Sequence, residues 1–363
     1  MILIIGAGIA GITLARLFAD KGKEVMLVDR RDFIGGLCYD YLDKGIFVQQ
    51  YGPHIFHTNN DRVWKFVNNY AAFNDYTHTV IAMVNGREVN LPMCIKSIYD
   101  FYGLDNYEEA TVRFNQSFIK PKKDSQYKST YSFLIDRYGK DYTDSILKPY
   151  SEKVWDCVID DLPTNIFERI PIRNNFDTRY FVDGFQGMPR NGFTDMMRDM
   201  LDSTKISILL GTSMDYQHAL DMKPDLIINT GYLDSFFNYC YGKLKYIKLD
   251  FEVVDVPDLK FYQRSSVFNY PKGTFFRRTE FKHFYPERKA YNTHGTIYMK
   301  EFVGGKEICY PSPRLQDRED AQKYLDLAAE KKVYCCGRFG SYQYLNMDSV
   351  ILKAMELVDT LTS

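Results

Sequence analysis

Three glycines near the start of the chain stand where a phosphate could be held. Met-Ile-Leu-Ile-Ile runs into Gly6-Ala7-Gly8-Ile9-Ala10-Gly11, an apolar strand followed at once by a Gly-x-Gly-x-x-Gly turn that opens a helix. Gly6 permits the tight turn, Gly8 lets the main chain approach a pyrophosphate, and Gly11 lets helix and strand pack closely. The helix N-terminus then turns its unpaired N–H groups and positive dipole end toward the anion. Glu24-Val25-Met26-Leu27-Val28 reads as the next strand, with Asp29 at its end where a ribose hydroxyl would be bound, which completes a βαβ signature. A second cluster, His54 and His57, has H-x-x-H spacing and invites a metal reading. That reading is rejected, because the pair falls in a loop and lacks a convincing third ligand.

Composition limits what else the chain can be. Lys plus Arg number 46 against 47 Asp plus Glu, so no net basic field attracts a nucleic acid or an anionic membrane, and any anion must be gripped locally. The seven cysteines include the adjacent Cys335-Cys336 but no C-x-x-C spacing, and are expected to be reduced and mostly buried. No basic stretch precedes the apolar start, so the dinucleotide turn explains it better than a signal peptide, and a soluble cytoplasmic protein without a membrane span is expected. With 29 Tyr and 26 Phe, the chain holds more aromatic rings than core filling demands, and some should stack on planar ligands.

The elements that must position these residues can be read along the chain. A loop after Asp29 carries Gly35-Gly36, and Ile46-Phe47-Val48-Gln49 is extended before a loop rich in backbone breakers. Residues 98–165 have helical spacing, with Phe101, Tyr102, Phe114, Phe118, Tyr131, Phe133 and Leu134 among interleaved charges. Residues 244–310 alternate and are rich in Val, Tyr and Phe, which predicts antiparallel strands walling a substrate cleft. Two apolar strands, around Leu226-Ile227-Ile228 and Val333-Tyr334-Cys335, return to the nucleotide domain, and Gly337-Arg338-Phe339-Gly340 follows the second. A last helix begins near Asn346, a good N-cap residue, with Val350, Ile351, Ala354, Val358 and Leu361 on one face.

The fold class expected is α/β: a Rossmann-like FAD-binding domain with a helical insertion and an antiparallel-sheet substrate domain. The FAD-binding domain is discontinuous (1–75, 190–243 and 325–363), the insertion spans 98–165 with a mobile lid at 166–190, and the substrate domain takes 76–97 and 244–324. An interrupted nucleotide domain whose last helix could aim its dipole at the pyrimidine side of an isoalloxazine suits FAD better than NAD.

Five separated motifs, in order, give the chain a family resemblance over nearly its whole length. They are Tyr51-Gly52-Pro53-His54-Ile55-Phe56-His57-Thr58, Pro149-Tyr150-Ser151-Glu152-Lys153-Val154-Trp155, Arg169-Ile170-Pro171-Ile172-Arg173, Phe185-Gln186-Gly187-Met188-Pro189, and Gly337-Arg338 before Tyr344. The sequence resembles the bacterial UDP-galactopyranose mutases. The resemblance implies an intramolecular transferase that interconverts the pyranose and furanose forms of a nucleotide sugar without net redox change. In that chemistry FAD is active when reduced, by an external reductant, and its N5 forms a covalent adduct with the sugar. It also implies a role in cell-surface polysaccharide biosynthesis; a homodimer is left open.

What the resemblance implies for residues is specific. Arg173 and Arg277 hold the charged leaving diphosphate, where bidentate guanidinium geometry suits the task better than lysine. Arg173 is expected to enter the site only when nucleotide binds. Tyr150 and Trp155 pack on the nucleobase, Tyr310 and Tyr344 reach the diphosphate and sugar, and Tyr180 helps from the lid. His57 lies near flavin N5, with His54 beside the ring. Arg30, Gly35 and Gly36 complete the ADP and ribityl surface, and Gly337 and Arg338 meet the flavin pyrophosphate. Phe185 stands where tyrosine is usual, and Leu37 replaces a common asparagine. The resemblance implies UDP-galactopyranose or a close relative as substrate, but His78 stands where galactopyranose mutases have asparagine, and Asn346 where they have aspartate, changes that could redirect specificity to a 6-deoxy sugar, a heptose or a pentose, on UDP or another nucleotide. A net flavin oxidoreductase and a non-catalytic nucleotide-sugar binder are the other classes open to this scaffold.

Overall fold

The computed structural model describes residues 1–117 and 127–363, so Phe118 of the predicted helical run lies outside the described residues. The chain opens with β1 (Ile2–Ile5), α1 (Ile9–Asp20) and β2 (Val25–Val28). A hairpin of β3 (Asp40–Asp43) and β4 (Ile46–Gln49) leads to β5 (Phe56–Thr58) and α2 (Asp61–Asn68). A second hairpin, β6 (Val80–Val84) and β7 (Arg87–Leu91), precedes the helical run α3 (Ile95–Tyr102), α4 (Tyr107–Ser117), α5 (Thr130–Tyr138) and the short α6 (Lys140–Tyr142). A π-helical turn (Thr143–Leu147), α7 (Lys148–Trp155) and α8 (Asn165–Glu168) complete it. Next come β8 (Phe185–Gly187), α9 (Gly192–Met200), β9 (Ile206–Leu209), α10 (Tyr216–Asp221), β10 (Leu226–Asn229) and α11 (Leu233–Phe236). The strands β11 (Tyr246–Val256), β12 (Val267–Asn269), β13 (Arg277–Glu280), β14 (Thr296–Val303) and β15 (Glu307–Pro311) follow. The chain closes with α12 (Leu315–Glu330), β16 (Val333–Cys335), the one-turn α13 (Gly337–Gly340) and α14 (Met347–Thr362).

The four apolar strands read from the sequence, β1, β2, β10 and β16, are joined by β9, which the sequence did not signal, in a five-stranded parallel sheet ordered β16-β10-β1-β2-β9. Such a sheet is stable only when covered on both faces. The period of two delivers this: Ile2 and Ile4 of β1 pack in the core with α1 and α14, whereas Leu3 and Ile5 pack on the other face with α11 and α12. The C-terminal ends of β1, β2 and β10 therefore open at a point where connections leave to opposite sides, the usual place for a ligand in such sheets.

The second sheet has seven strands in the order β15-β11-β14-β13-β12-β6-β7. Neighbours are antiparallel, except that β6 and β12 run in parallel, with Val80 opposite Val267. The helical run and the return through the first sheet lie between these two strands, a connection long enough to bring the chain back to the same end. Two predicted boundaries shift. α3 begins at Ile95 rather than 98, and α12, which packs against α11 and β16, begins at Leu315, so a boundary at 325 would cut it.

The segment 166–190 is tied down at several points. β8 pairs antiparallel with β5, placing His57 opposite Gln186, and isolated bridges join Thr79 to Arg179 and Cys94 to Arg173.

Candidate active site

A cradle of about 1100 Å³, counting space open to solvent, lies at the C-terminal ends of β1, β2 and β10. Gly6 has φ +105°, and a Cβ there would stand 2.3 Å from the Thr230 hydroxyl, so only glycine serves the turn. The two glycine turns face each other: Gly8 bridges Gly35, and a Cβ on Gly36 would come within 3.0 Å of the Gly8 Cα. That closeness leaves main chain on both sides of the space, the surface a pyrophosphate needs. Gly11 and Gly337 do not line it. Their Cβ atoms would meet the Gly6 carbonyl oxygen at 1.8 Å and the Ala10 Cβ at 2.6 Å, so both serve the packing of helices behind the cradle.

Asp29 lines the cradle with its carboxylate already accepting from the main-chain N–H groups of Ala7 (2.6 Å) and Arg31 (2.8 Å). It thereby locks the glycine turn to the end of β2. Arg30 lies over the Tyr232 ring and donates to its hydroxyl at 3.0 Å. His54 also lines the space, with Nδ1 3.0 Å from the Gly52 carbonyl oxygen. Burial, with the Arg338 and Arg277 guanidiniums, pushes His54 down to about 3, so its ring is neutral. Arg338 donates to the carbonyls of Leu345 (2.9 Å) and Cys309 (3.3 Å). Two lining residues escaped the sequence reading. Arg31 Nη2 and Asn229 Nδ2 are buried with no hydrogen-bond partner among the described residues. Donors left so are rare and costly, and here they point to an acceptor-rich ligand. Asn229 gave no signal because it ends an ordinary apolar strand.

A second cleft, of about 980 Å³ on the same measure, lies between the seven-stranded sheet and the helical run. Arg277, Tyr150, Trp155, Tyr180, Tyr310 and Tyr344 all line it. Arg277 at the start of β13 is held by Glu301 of β14 through two hydrogen bonds of 2.6 and 2.7 Å, which fixes the guanidinium plane. Trp155, Tyr310 and Tyr344 meet edge to face, with centroids 5.2 to 5.7 Å apart. The Tyr150 hydroxyl donates to Asn269 Oδ1 at 3.2 Å. Arg338 lies over the rings of both Tyr310 (5.1 Å) and Tyr344 (5.4 Å), and Leu345 of the cradle adjoins Tyr344 of the cleft. The two spaces share this wall. Burial opposes ionisation of Tyr344, but Arg169, Arg338 and Arg277 outweigh it and draw the phenol below its usual value. Burial wins at Tyr310, which rises to about 12 despite Arg277.

Besides Gly11 and Gly337, five predicted residues line neither space. The Arg173 guanidinium is occupied by the carbonyls of Asp177 (3.3 Å), Arg179 and Phe181 (3.1 Å) of its own loop. His57 is paired through Nδ1 with Asp183 at 2.7 Å and stacked on Phe181, centroids 3.7 Å apart. His78 is buried behind Tyr180 and Phe181 with Nδ1 on the Tyr76 hydroxyl at 3.0 Å. Burial, followed by His57 and Arg277, pushes it down to about 3. Phe185 stacks on Trp64 at 5.2 Å, because pairing of β8 with β5 turns it toward α2. Asn346 precedes α14, yet its side chain caps nothing and instead accepts from Arg169 at 3.4 Å. Arg169 itself lines the cleft and donates to the Tyr344 hydroxyl at 3.1 Å. It lies in the same sequence motif as Arg173, four residues earlier.

Comparison with known proteins decides the class. The sequence profile of UDP-galactopyranose mutase matches residues 145–344, which span the whole lining of the second cleft from Ile146 to Tyr344 apart from its β7-to-α3 edge and the Tyr138 to Tyr142 stretch. The chain belongs to the UDP-galactopyranose mutase family. The profile of NAD(P)-binding Rossmann-like domains matches residues 4–70, the cradle side. Within the family, this mutase is 36% identical over 382 residues to a probable UDP-galactopyranose mutase of Klebsiella pneumoniae, covering 100% of this chain and 94% of the other. It is also 34% identical over 383 residues to a dTDP-fucopyranose mutase of Escherichia coli, covering 98% and 96%. A crystal structure of reduced UDP-galactopyranose mutase superposes with TM-score 0.76 at 18% identity, covering 99% of this chain and 95% of that one, which establishes the shared fold. The mutase is thus an isomerase acting on the pyranose form of a nucleotide sugar, built on a Rossmann-like dinucleotide-binding domain. Among the described residues, no helix is long and apolar enough to cross a membrane and no side-chain cluster could hold a metal ion.

Proposed function

We propose that the mutase holds FAD in the cradle and, with the flavin reduced, interconverts pyranose and furanose forms of UDP-galactose or a close relative in the adjoining cleft. The observation that carries this reading is the shared wall: Arg338 and Leu345 on the cradle side and Tyr344 on the cleft side, with Arg338 over the Tyr344 ring at 5.4 Å, are what separate a dinucleotide cradle from an arginine- and tyrosine-lined cleft. The facing glycine turns and the unpartnered Asn229 amide fit a dinucleotide, as does Arg31, whose Nη2 makes no hydrogen bond although it faces Glu307 at 3.8 Å. Reduced FAD, when bound, supplies a nucleophilic ring nitrogen for the anomeric carbon.

The remaining work falls to side chains of this chain. Arg277, immobilised by Glu301, receives charge as the anomeric C–O bond to the diphosphate breaks, and Tyr310 and Tyr344 donate hydrogen bonds to the same group. Holding the diphosphate in place lets it return to the sugar after ring exchange instead of escaping. Trp155 and Tyr150 offer flat apolar faces to the base and exclude water. Neutral His54 sits beside the cofactor as a hydrogen-bonding group carrying no charge. A 6-deoxy hexose on another nucleotide is the second reading, favoured by the similarity to a dTDP-fucopyranose mutase.

The test has two parts. Heat-released cofactor is identified by chromatography, and the reduced holoenzyme is offered UDP-galactopyranose, dTDP-fucopyranose, and UDP-linked heptose and pentose. FAD and one strongly preferred nucleotide sugar are expected. Release of a nicotinamide dinucleotide, or no ring interconversion with any of them, would contradict the proposal.

A further inference from the structure

The charges around the cleft are unevenly compensated. Arg277 is neutralised by the buried Glu301. Arg173 faces Asp177 at 3.8 Å and is saturated by loop carbonyls. Arg338 is spent on two carbonyls and lies on the cradle side of the wall. Arg169 differs from all three. It lines the cleft, and its partners are neutral: the Ile166 carbonyl (3.2 Å), the Tyr344 hydroxyl (3.1 Å) and Asn346 Oδ1 (3.4 Å). No carboxylate of the described residues pairs with it. The amide at Asn346 is the reason, since an aspartate there would put a negative charge against the same guanidinium.

We infer that Arg169, left uncompensated by Asn346, is the cleft arginine that binds the diphosphate of the substrate most strongly, and that Asn346 sets this strength. The inference rests on the nucleotide-sugar reading of the cleft. A doubly charged group entering a cleft gains most from a cation that no protein carboxylate already satisfies. The guanidinium is also oriented before binding, because stacking on Tyr344 at 4.6 Å and three acceptors hold its plane. Asn346 is thus a positioning residue that tunes diphosphate affinity through Arg169.

A structural role for Arg169 and the proposed role differ in sign at one substitution. Asn346→Asp would give Arg169 a better partner, so if Arg169 merely anchors Tyr344 the change is neutral or favourable. If Arg169 binds diphosphate, Asn346→Asp competes with the ligand. The flavin-loaded protein is titrated with UDP and with dTDP, following whichever the unaltered protein binds more tightly, at two salt concentrations. Arg169→Gln should weaken binding roughly ten- to hundredfold, Arg169→Lys should restore part of it, and Asn346→Asp should weaken it and flatten its salt dependence. Melting temperature and the flavin spectrum report whether Arg169→Gln folds, and Asn346→Asp decides the matter if it does not. Asn346→Asp binding as tightly as the unaltered protein, or more tightly, would overturn the inference while leaving the mutase reading intact. Failure of the unaltered protein to bind either nucleotide would overturn both.

Discussion

Arg277 and Glu301 show how a charge can be buried in a site without losing its use. Glu301 is fully buried and spends both carboxylate oxygens on Arg277, leaving the far side of the guanidinium plane for a ligand. Glu301→Ala should therefore destabilise the protein by about 3 kcal/mol, because it strands a buried cation, a loss that urea denaturation would show. Two buried histidines give a pH signature. His54 and His78 sit near 3 instead of the ordinary 6.5, so below pH 6.5 the unfolded chain takes protons that the folded chain refuses. Their contribution to stability is complete above about pH 6.5 and is lost as the pH falls toward 3, by up to about 1.4 kcal/mol per pH unit for each ring. A melting curve series should show this fall, and His78→Gln should make it shallower. An unchanged slope in the variant would contradict the burial argument. At this scale the sequence was legible where residue type dictates geometry, as at Gly6 and Gly36. It was illegible at Arg169 and Arg173, because α8 ends at Glu168 and the non-helical stretch beyond it has no period from which side-chain direction can be read.

At the scale of elements, the segment 166–190 is the informative case. Its glycines, proline and aromatic residues predicted a lid closing over charged substrate, and the structure shows it clasped: Arg173 gathers three carbonyls of the loop, Asp183 takes His57, and β8 pairs with β5. Asp183 also accepts from Asn59 at 2.8 Å, so one carboxylate joins the loop to the strand carrying His57. We expect nucleoside diphosphate to compete for the Arg173 guanidinium and alter cleavage of this loop by protease. We also expect Arg173→Gln to raise cleavage without nucleotide, since the carbonyls lose their common donor. Identical digestion patterns in all these states would count against a moving clasp. The pairing of β8 with β5 could not be read from sequence, as three-residue strands carry too few positions to show alternation.

At the scale of the molecule, short but continuously apolar segments and their return after two interruptions made most of the discontinuous parallel sheet readable, including β10 beside β1 and β16 beside β10, though not β9. The parallel pairing of β6 with β12 was not readable, because it depends on which end the chain re-enters after more than a hundred residues of intervening structure, and no local pattern records that. What the two sheets achieve together is the juxtaposition of a dinucleotide cradle and a charged aromatic cleft across Arg338 and Tyr344. The central claim is that this juxtaposition serves a reaction in which the cofactor must be reduced and yet is not consumed. The most direct measurement follows the flavin spectrum and the sugar ring form together, anaerobically, after dithionite reduction and removal of excess reductant. The account predicts many turnovers between pyranose and furanose with the flavin still reduced at the end, and none in an oxidised control. Oxidation of one flavin for each sugar converted, or equal activity of the oxidised protein, would contradict it.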